Sequence, residues 1–514
     1  MKIQGSAALC MSLAASARAF TSRFAVRGGA SSIVNRMSST AVENPLLQQE
    51  GLPKFQNIEP KDLTPAVEGL LEQLDSDFAS LEEKLASTDG SDEIDYDQVL
   101  PEVERIQFGL GYVWGVAGHL NGVKNGDELR EAYEKNQPKV VQAMTKFSQS
   151  KPLYDALAKI EKSWEASPAE ESFEVMQKKR AVENSLRSMT LGGVGLEGEE
   201  KERFNEMRVK LSGLGTTFSN NVLDSTKAFS TTIDDASKMK GVPASAKALW
   251  ANAHIMHLQS EAKEGETVPE MDPEAGPWRI TLDMPSYIAV MSHMPDREVR
   301  KEVYMNQVQR ASEATEGKNN VPLISEILKI KKDMANLLGY DNYADLSLAS
   351  KMAPSVDSVR ELTDLIADKA LPAAEKELEE ITAFARANGG DEYSEANLEK
   401  LMPWDLTFWS ERLKESKFDL TAEELRPYFA LPAVLDGMFG LVKRIFDIEV
   451  KRADGEAEVW NDDVQFFKVF DGSRGKHIAS FFLDPYSRPA DKRGGAWMDV
   501  CIGKSRAVDR DIVS

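Results

Sequence analysis

Apolar residues recur along this chain in steps of three and four. Val67, Leu70, Leu74, Phe78, Leu81 and Leu85 form one such series, and Phe204, Met207, Leu211, Leu214, Phe218 and Val222 form another. Val359, Leu362, Ile366 and Ala370 repeat the rhythm. Each series puts its bulk on one face of an α-helix, which then has to be covered. Thr64-Pro65 reads as an N-cap with proline at the first helical position, and Pro354-Ser355 opens the third series. Pro372 is expected to bend or end that third helix. Residues 322–338 read as a further helix, closed by Gly339.

Near Val459 the period changes. The segment VQFFKVF (464–470) is β-branched and aromatic, DGSRGK is turn chemistry, and HIASFFLD (477–484) reads as a second strand. Together they predict an antiparallel hairpin. GGAWMDVCIG (494–503) is expected as the next strand of a small meander. The fold class expected is therefore mainly α, with a small antiparallel β-sheet near the C-terminus. No fixed-period repeat is present, so a solenoid of identical units is not expected. The acid-rich stretches 89–97 and 265–276 read as solvated loops.

A chain of 514 residues is too long for one ordinary core. Its formal net charge of -22 argues against a nucleic-acid partner, because phosphate binding needs a basic face. No run of 18 apolar residues exists, so no membrane span is expected. The two cysteines, Cys10 and Cys501, cannot make a disulfide framework. Residues 1–44 differ in kind: the first 42 carry five basic residues and no acidic one. Ala17-Arg18-Ala19 offers a small-x-small cleavage site before Phe20, and an Arg/Ser-rich stretch follows. This reads as a targeting presequence, bipartite for a plastid or single for a mitochondrion, with the plastid stroma placed first.

Motif chemistry alone goes no further. Residues 193–198 match G-x-G-x-x-G, but the preceding segment reads helical, so a loop between helices is expected rather than a dinucleotide site. The histidines are His119, His254, His257, His293 and His477, and none begins an H-E-x-x-H. His254, His257 and Glu261 share a helix face that zinc could use. A partly exposed helix surface is the simpler account. No G-x-S-x-G is present, nothing near Cys501 would lower its pKa, and 84 carboxylates are too many to nominate an acid–base pair.

Several stretches carry more than their chemistry. GHLNGVKNGDELREAYE (118–134), LGTTFSNNVLDST (214–226), LLGYDNYADLSLASKMA (337–353), LMPWDLTFWSER (401–412), residues 423–450 and YSRPADKRGGAWMDVCIG (486–503) are similar, in order, to segments of oligopeptidase A. The chain thus resembles the thimet-oligopeptidase-type zinc metallopeptidases from about residue 46 to about residue 508.

That resemblance implies a zincin-like, two-lobed helical fold around a channel that admits short unstructured peptides. It implies zinc held by the two histidines of H-E-x-x-H and a glutamate on the next helix, the motif's Glu acting as general base. It further implies a metalloendopeptidase, a monomer, that degrades short peptides such as cleaved targeting peptides in an organelle. In domain terms it implies an N-terminal helical domain over residues 45–295 and the first part of a catalytic domain over 296–514. In the family the zinc helix follows the G-G-A-W-M segment, and this sequence has no counterpart. No catalytic or metal residue is carried over; both sets are expected beyond Ser514. The chain as written is expected to be C-terminally incomplete, without bound zinc and inactive. The alternative is a complete chain that is a non-catalytic peptide-binding or scaffold protein. One site is carried over: Gly494, Gly495, Ala496, Trp497 and Met498 match a strand along which extended peptide can pair by β-addition. A plain sheet strand with Trp497 in the core is the competing account.

Overall fold

A computed structural model describes residues 44–87, 94–166, 172–263, 268, 271–397 and 399–513. The expected presequence lies outside the described residues except for Asn44, and so do parts of both acid-rich loops. Ser514, beyond which the catalytic and zinc-binding residues are expected, also lies outside the described residues.

Helices dominate, as the periodicity predicts. The first series is α1 (Pro60–Ser87), α2 (Leu100–Val123), α3 (Asp127–Ser148), α4 (Lys151–Ala166), α5 (Phe173–Leu191) and α6 (Gly198–Ala228). Strand β1 (Ser230–Ile233), α7 (Ala244–Glu261) and β2 (Trp278–Thr281) come next. Then follow α8 (Met284–His293), α9 (Arg297–Val308), α10 (Val321–Leu337), α11 (Tyr343–Leu348), α12 (Val356–Asn388) and α13 (Pro403–Phe418). The chain continues through α14 (Ala422–Leu425), α15 (Leu431–Phe446), β3 (Ile448–Arg452), β4 (Gln465–Asp471) and β5 (His477–Leu483).

The described residues fall into two compact units, one of 44–69, 429–485 and 500–513, the other of 70–428 and 486–499. In the first, β3, β4 and β5 form one antiparallel sheet in that order, with Phe466 opposite Phe482 and Phe467 opposite Phe481. Phe55 meets Trp460 and Phe482 edge-on, with ring centroids 5.1 and 5.8 Å apart. The hairpin turn is held by Asp471, whose carboxylate accepts from Ser473 Oγ at 2.7 Å and the Arg474 amide at 3.1 Å.

In the second unit, Trp250 and Trp278 are both fully buried. Burial is tolerable because each indole N–H has an acceptor, Ser286 Oγ at 3.0 Å and the Pro273 carbonyl at 2.8 Å. Phe204 and Met207 of α6 pack on Ile330 and Met334 of α10. Full burial of side chains of this size contributes about 1.5–3 kcal/mol each in transfer free energy.

Four expectations need correction. Helix α1 starts at Pro60, not at Thr64; the Asp62 carboxylate accepts from the Glu59 amide at 2.8 Å and fixes the earlier start. Helix α12 runs from Val356 through Pro372 to Asn388. Its side chains Val359, Leu362 and Ile366 are exposed, so this stripe is not buried. The third strand of the sheet is β3, and residues 494–503 belong to no strand. Gly495 has φ +103°, which takes the backbone out of the extended region a ladder requires. Trp497 is 42% exposed, which also removes the alternative that placed it in the core.

The G-x-G-x-x-G match is a loop between helices, as expected. It follows α5 rather than a strand. Gly193 takes φ +86°, and the Val194 amide donates back to the Met189 carbonyl at 3.1 Å, closing the helix end.

Candidate functional site

The segment of residues 488–498 is anchored on the end of α2 and the start of α3. The Asn125 amide donates to the Asp491 carbonyl, and the Arg493 amide to the Gly122 carbonyl, both at 2.8 Å. Arg488 Nη2 reaches the Val123 carbonyl at 3.3 Å. The last two of these bonds use carbonyls that the end of α2 would otherwise leave to water. Beyond Arg493 the Trp497 ring comes down on Gly122. A Cβ at Gly122 would stand 3.8 Å from the Trp497 ring, and one at Gly118 would stand 3.8 Å from the Tyr133 hydroxyl. Tyr133 in turn stacks on Trp114 at 4.2 Å.

Asn125 and Arg130 brace this junction. Asn125 Nδ2 donates to the Asn121 carbonyl at 2.9 Å, and its Oδ1 accepts from Arg130 Nε at 2.7 Å. Arg130 also forks onto Asp224 of α6 at 2.9 and 2.7 Å. Those hydrogen bonds hold the Asp224 carboxyl below the usual range, against the effect of burial. Burial, reinforced by the Arg130 charge, holds the Lys227 ammonium below its ordinary value.

Gly494, Gly495, Ala496, Trp497 and Met498 are all exposed. Among the described residues, no group donates to or accepts from their backbone. The structure thus brings the five residues together as an uncommitted backbone edge, on a bend rather than in a sheet. Two concavities of about 570 and 710 Å³ lie elsewhere, walled by Phe408 and Trp409 and by Phe78 and Gln149 respectively.

The histidines stay apart. His257 Nε2 lies 3.6 Å from Glu261 on α7, a pair four residues apart. His254 Nδ1 is buried with no hydrogen-bond partner among the described residues. His293 faces Arg412 at 3.3 Å, and His477 meets Ser480 Oγ at 3.0 Å. Among the described residues, no three His, Cys, Asp or Glu side chains converge as metal ligands. They therefore offer no substitute for the ligands expected beyond Ser514. The described residues do not fit a zinc ion.

A polar knot that the sequence reading missed lies at α9 and α13. Arg300 is fully buried, yet all five of its N–H groups have acceptors: the carbonyls of Met294, Pro295 and Trp404, the Tyr393 hydroxyl and Asp405. Arg297 binds the same carboxylate through Nε and Nη2, at 3.0 and 2.8 Å. No motif marks these residues. The only signal was an acidic residue two positions after a helix-opening proline, in Pro403-Trp404-Asp405.

Two family models match. The neurolysin/thimet oligopeptidase N-terminal domain matches residues 67–201, and peptidase family M3 matches residues 290–513. The chain is 40% identical over 469 residues to organellar oligopeptidase A, chloroplastic/mitochondrial, of Arabidopsis thaliana, covering 91% of this chain and 56% of that protein. It is 40% identical to the probable cytosolic oligopeptidase A of the same plant, covering 91% of this chain and 63% of that protein. Against oligopeptidase A of Escherichia coli the identity is 36%, covering 91% and 64%. The chain therefore spans less than two thirds of the length of these relatives. On both matches and on these identities, the chain belongs to peptidase family M3, a family of zinc metallopeptidases.

Proposed function

We propose that this chain supplies the helical body and a peptide-pairing edge of an oligopeptidase A-like metalloendopeptidase acting on short unstructured peptides. The observation that carries the reading is the bare, exposed backbone of residues 494–498, where open space around Gly494 and Gly495 lets a second backbone come close. The two family matches support a division into an N-terminal helical domain over 45–295 and a catalytic part over 296–514. The names of the Arabidopsis relatives support work inside an organelle, a plastid or a mitochondrion, with the cytosol as the competing address. Cleaved targeting peptides are the substrate class that fits such an address. A monomer is the proposed state.

Zinc belongs to this reading through the family, with its ligands and the general base proposed to lie beyond Ser514. None of the five histidines begins H-E-x-x-H, so the 514 residues by themselves are proposed to bind peptide without cutting it. The second reading, a non-catalytic peptide-binding protein on the same fold, rests on the same edge and shares that outcome.

The purified chain is incubated with a quenched fluorescent nonapeptide, with added zinc and with chelator. Peptide binding without chelator-sensitive cleavage is expected. Zinc-dependent cleavage by these 514 residues would contradict the proposed assignment of roles. Cleavage restored only by a longer product of the same gene, carrying H-E-x-x-H, would favour the peptidase over the scaffold reading.

A further inference from the structure

We propose that Arg493 is a carboxylate anchor at the head of the peptide edge. A peptide paired with residues 494–498 would set a carboxylate, its terminal one or that of an acidic side chain, against this guanidinium. The inference rests on the peptide-edge reading above.

Three observations converge on Arg493. It immediately precedes the uncommitted backbone, and its own amide is tied to the Gly122 carbonyl at 2.8 Å, so the root of the side chain is fixed. Its guanidinium lies 5.5 Å from the centre of the Trp497 ring and is exposed. Stacking of this kind orients the planar fork while leaving its N–H edges available. Asp491, two residues before Arg493, lies 3.7 Å from Arg488. Among the described residues no carboxylate lies within 4.0 Å of Arg493.

The surroundings sharpen the point. Tyr133 stands beside Gly118; burial pushes its phenol up, and the Arg493 charge pulls the other way. The Arg493 charge is therefore felt at the Tyr133 phenol. The whole chain carries a net charge of -22, which repels a peptide carboxylate at long range. An exposed arginine with no acid partner among the described residues offers such a group a local site.

The test uses the 514-residue chain and two pairs of fluorescein-labelled peptides read by anisotropy. One pair differs only in a C-terminal acid or amide, the other only in an internal Glu or Gln. The chain should prefer the carboxylate member of at least one pair by roughly three- to tenfold, as fits a charge-assisted contact at an exposed site. Which pair responds identifies the source of the carboxylate. In R493Q the members of that pair should bind alike, and R493K should fall between, because it keeps the charge and loses the fork. Equal affinities within both pairs for the unaltered chain, or a preference that survives in R493Q, would overturn the Arg493 assignment while leaving the peptide edge standing. No binding of any peptide would overturn the edge itself, and the anchor with it.

Discussion

The amide of Arg493 donates to the carbonyl of Gly122 at 2.8 Å, and the Trp497 ring covers the same glycine. One helix end thereby fixes both sides of the bend that carries Gly494 and Gly495. The backbone beyond it is held in place without being used up in a sheet, which is what a peptide-pairing edge requires.

Two glycines should respond oppositely to alanine. Gly122 lies in helix α2, where a Cβ would meet Trp497 at an ordinary 3.8 Å. G122A should stabilise the protein by about 0.5–1 kcal/mol, because glycine loses more backbone entropy in a helix. Gly193 has φ +86° and would put a Cβ 3.0 Å from Leu196. G193A should cost about 1–2 kcal/mol. Urea unfolding of both variants measures the sign directly.

Asp405 is the keystone of the α9–α13 junction. Burial works to raise its carboxyl, but Arg297, the Met402 amide and Tyr393 overcome this and leave it below the usual carboxylate value of 3.8. Its contribution to stability is therefore complete above that value and lost as pH falls through the lower folded one. D405N should cost about 3–5 kcal/mol at neutral pH, since it strands the buried Arg300 charge. Denaturant midpoints at pH 7 and pH 3 should show a large gap between the two proteins at pH 7 and a smaller one at pH 3.

His293 carries a pH effect of its own. Burial first, and then the Arg412 charge, hold its imidazole below the usual 6.5. The unfolded chain takes up a proton at 6.5 while the folded one does not, so stability falls as pH drops below 6.5 and levels off below the folded value. H293Q should flatten this part of the stability profile, as read by thermal unfolding between pH 7.5 and 5.

Much of the fold was legible because its helices and its hairpin announce themselves by period. Val67 to Leu85 and Phe204 to Val222 mark α1 and α6, and the Phe466 and Phe482 segments pair as expected. Strands β1 and β2 were invisible: each has four residues, and their partnership of Ile233 with Trp278 spans a whole helix. Residues 494–503 misled because bulky residues imitate a strand while strand formation depends on a ladder partner, which the residue types do not reveal. The Arg300–Asp405 pair was equally hidden, since residue type does not tell a buried charge from a solvated one.

The central claim is that residues 494–498 receive an extended peptide along their backbone. Hydrogen exchange of these amides, followed with and without a saturating nonapeptide, addresses it most directly. With no acceptor among the described residues, the amides of residues 494–498 should exchange rapidly alone and slow by roughly tenfold or more with peptide bound. The A496P variant, which removes one donor from the edge, should weaken binding by roughly two- to tenfold. Unchanged exchange at residues 494–498 while the peptide is demonstrably bound would contradict the account.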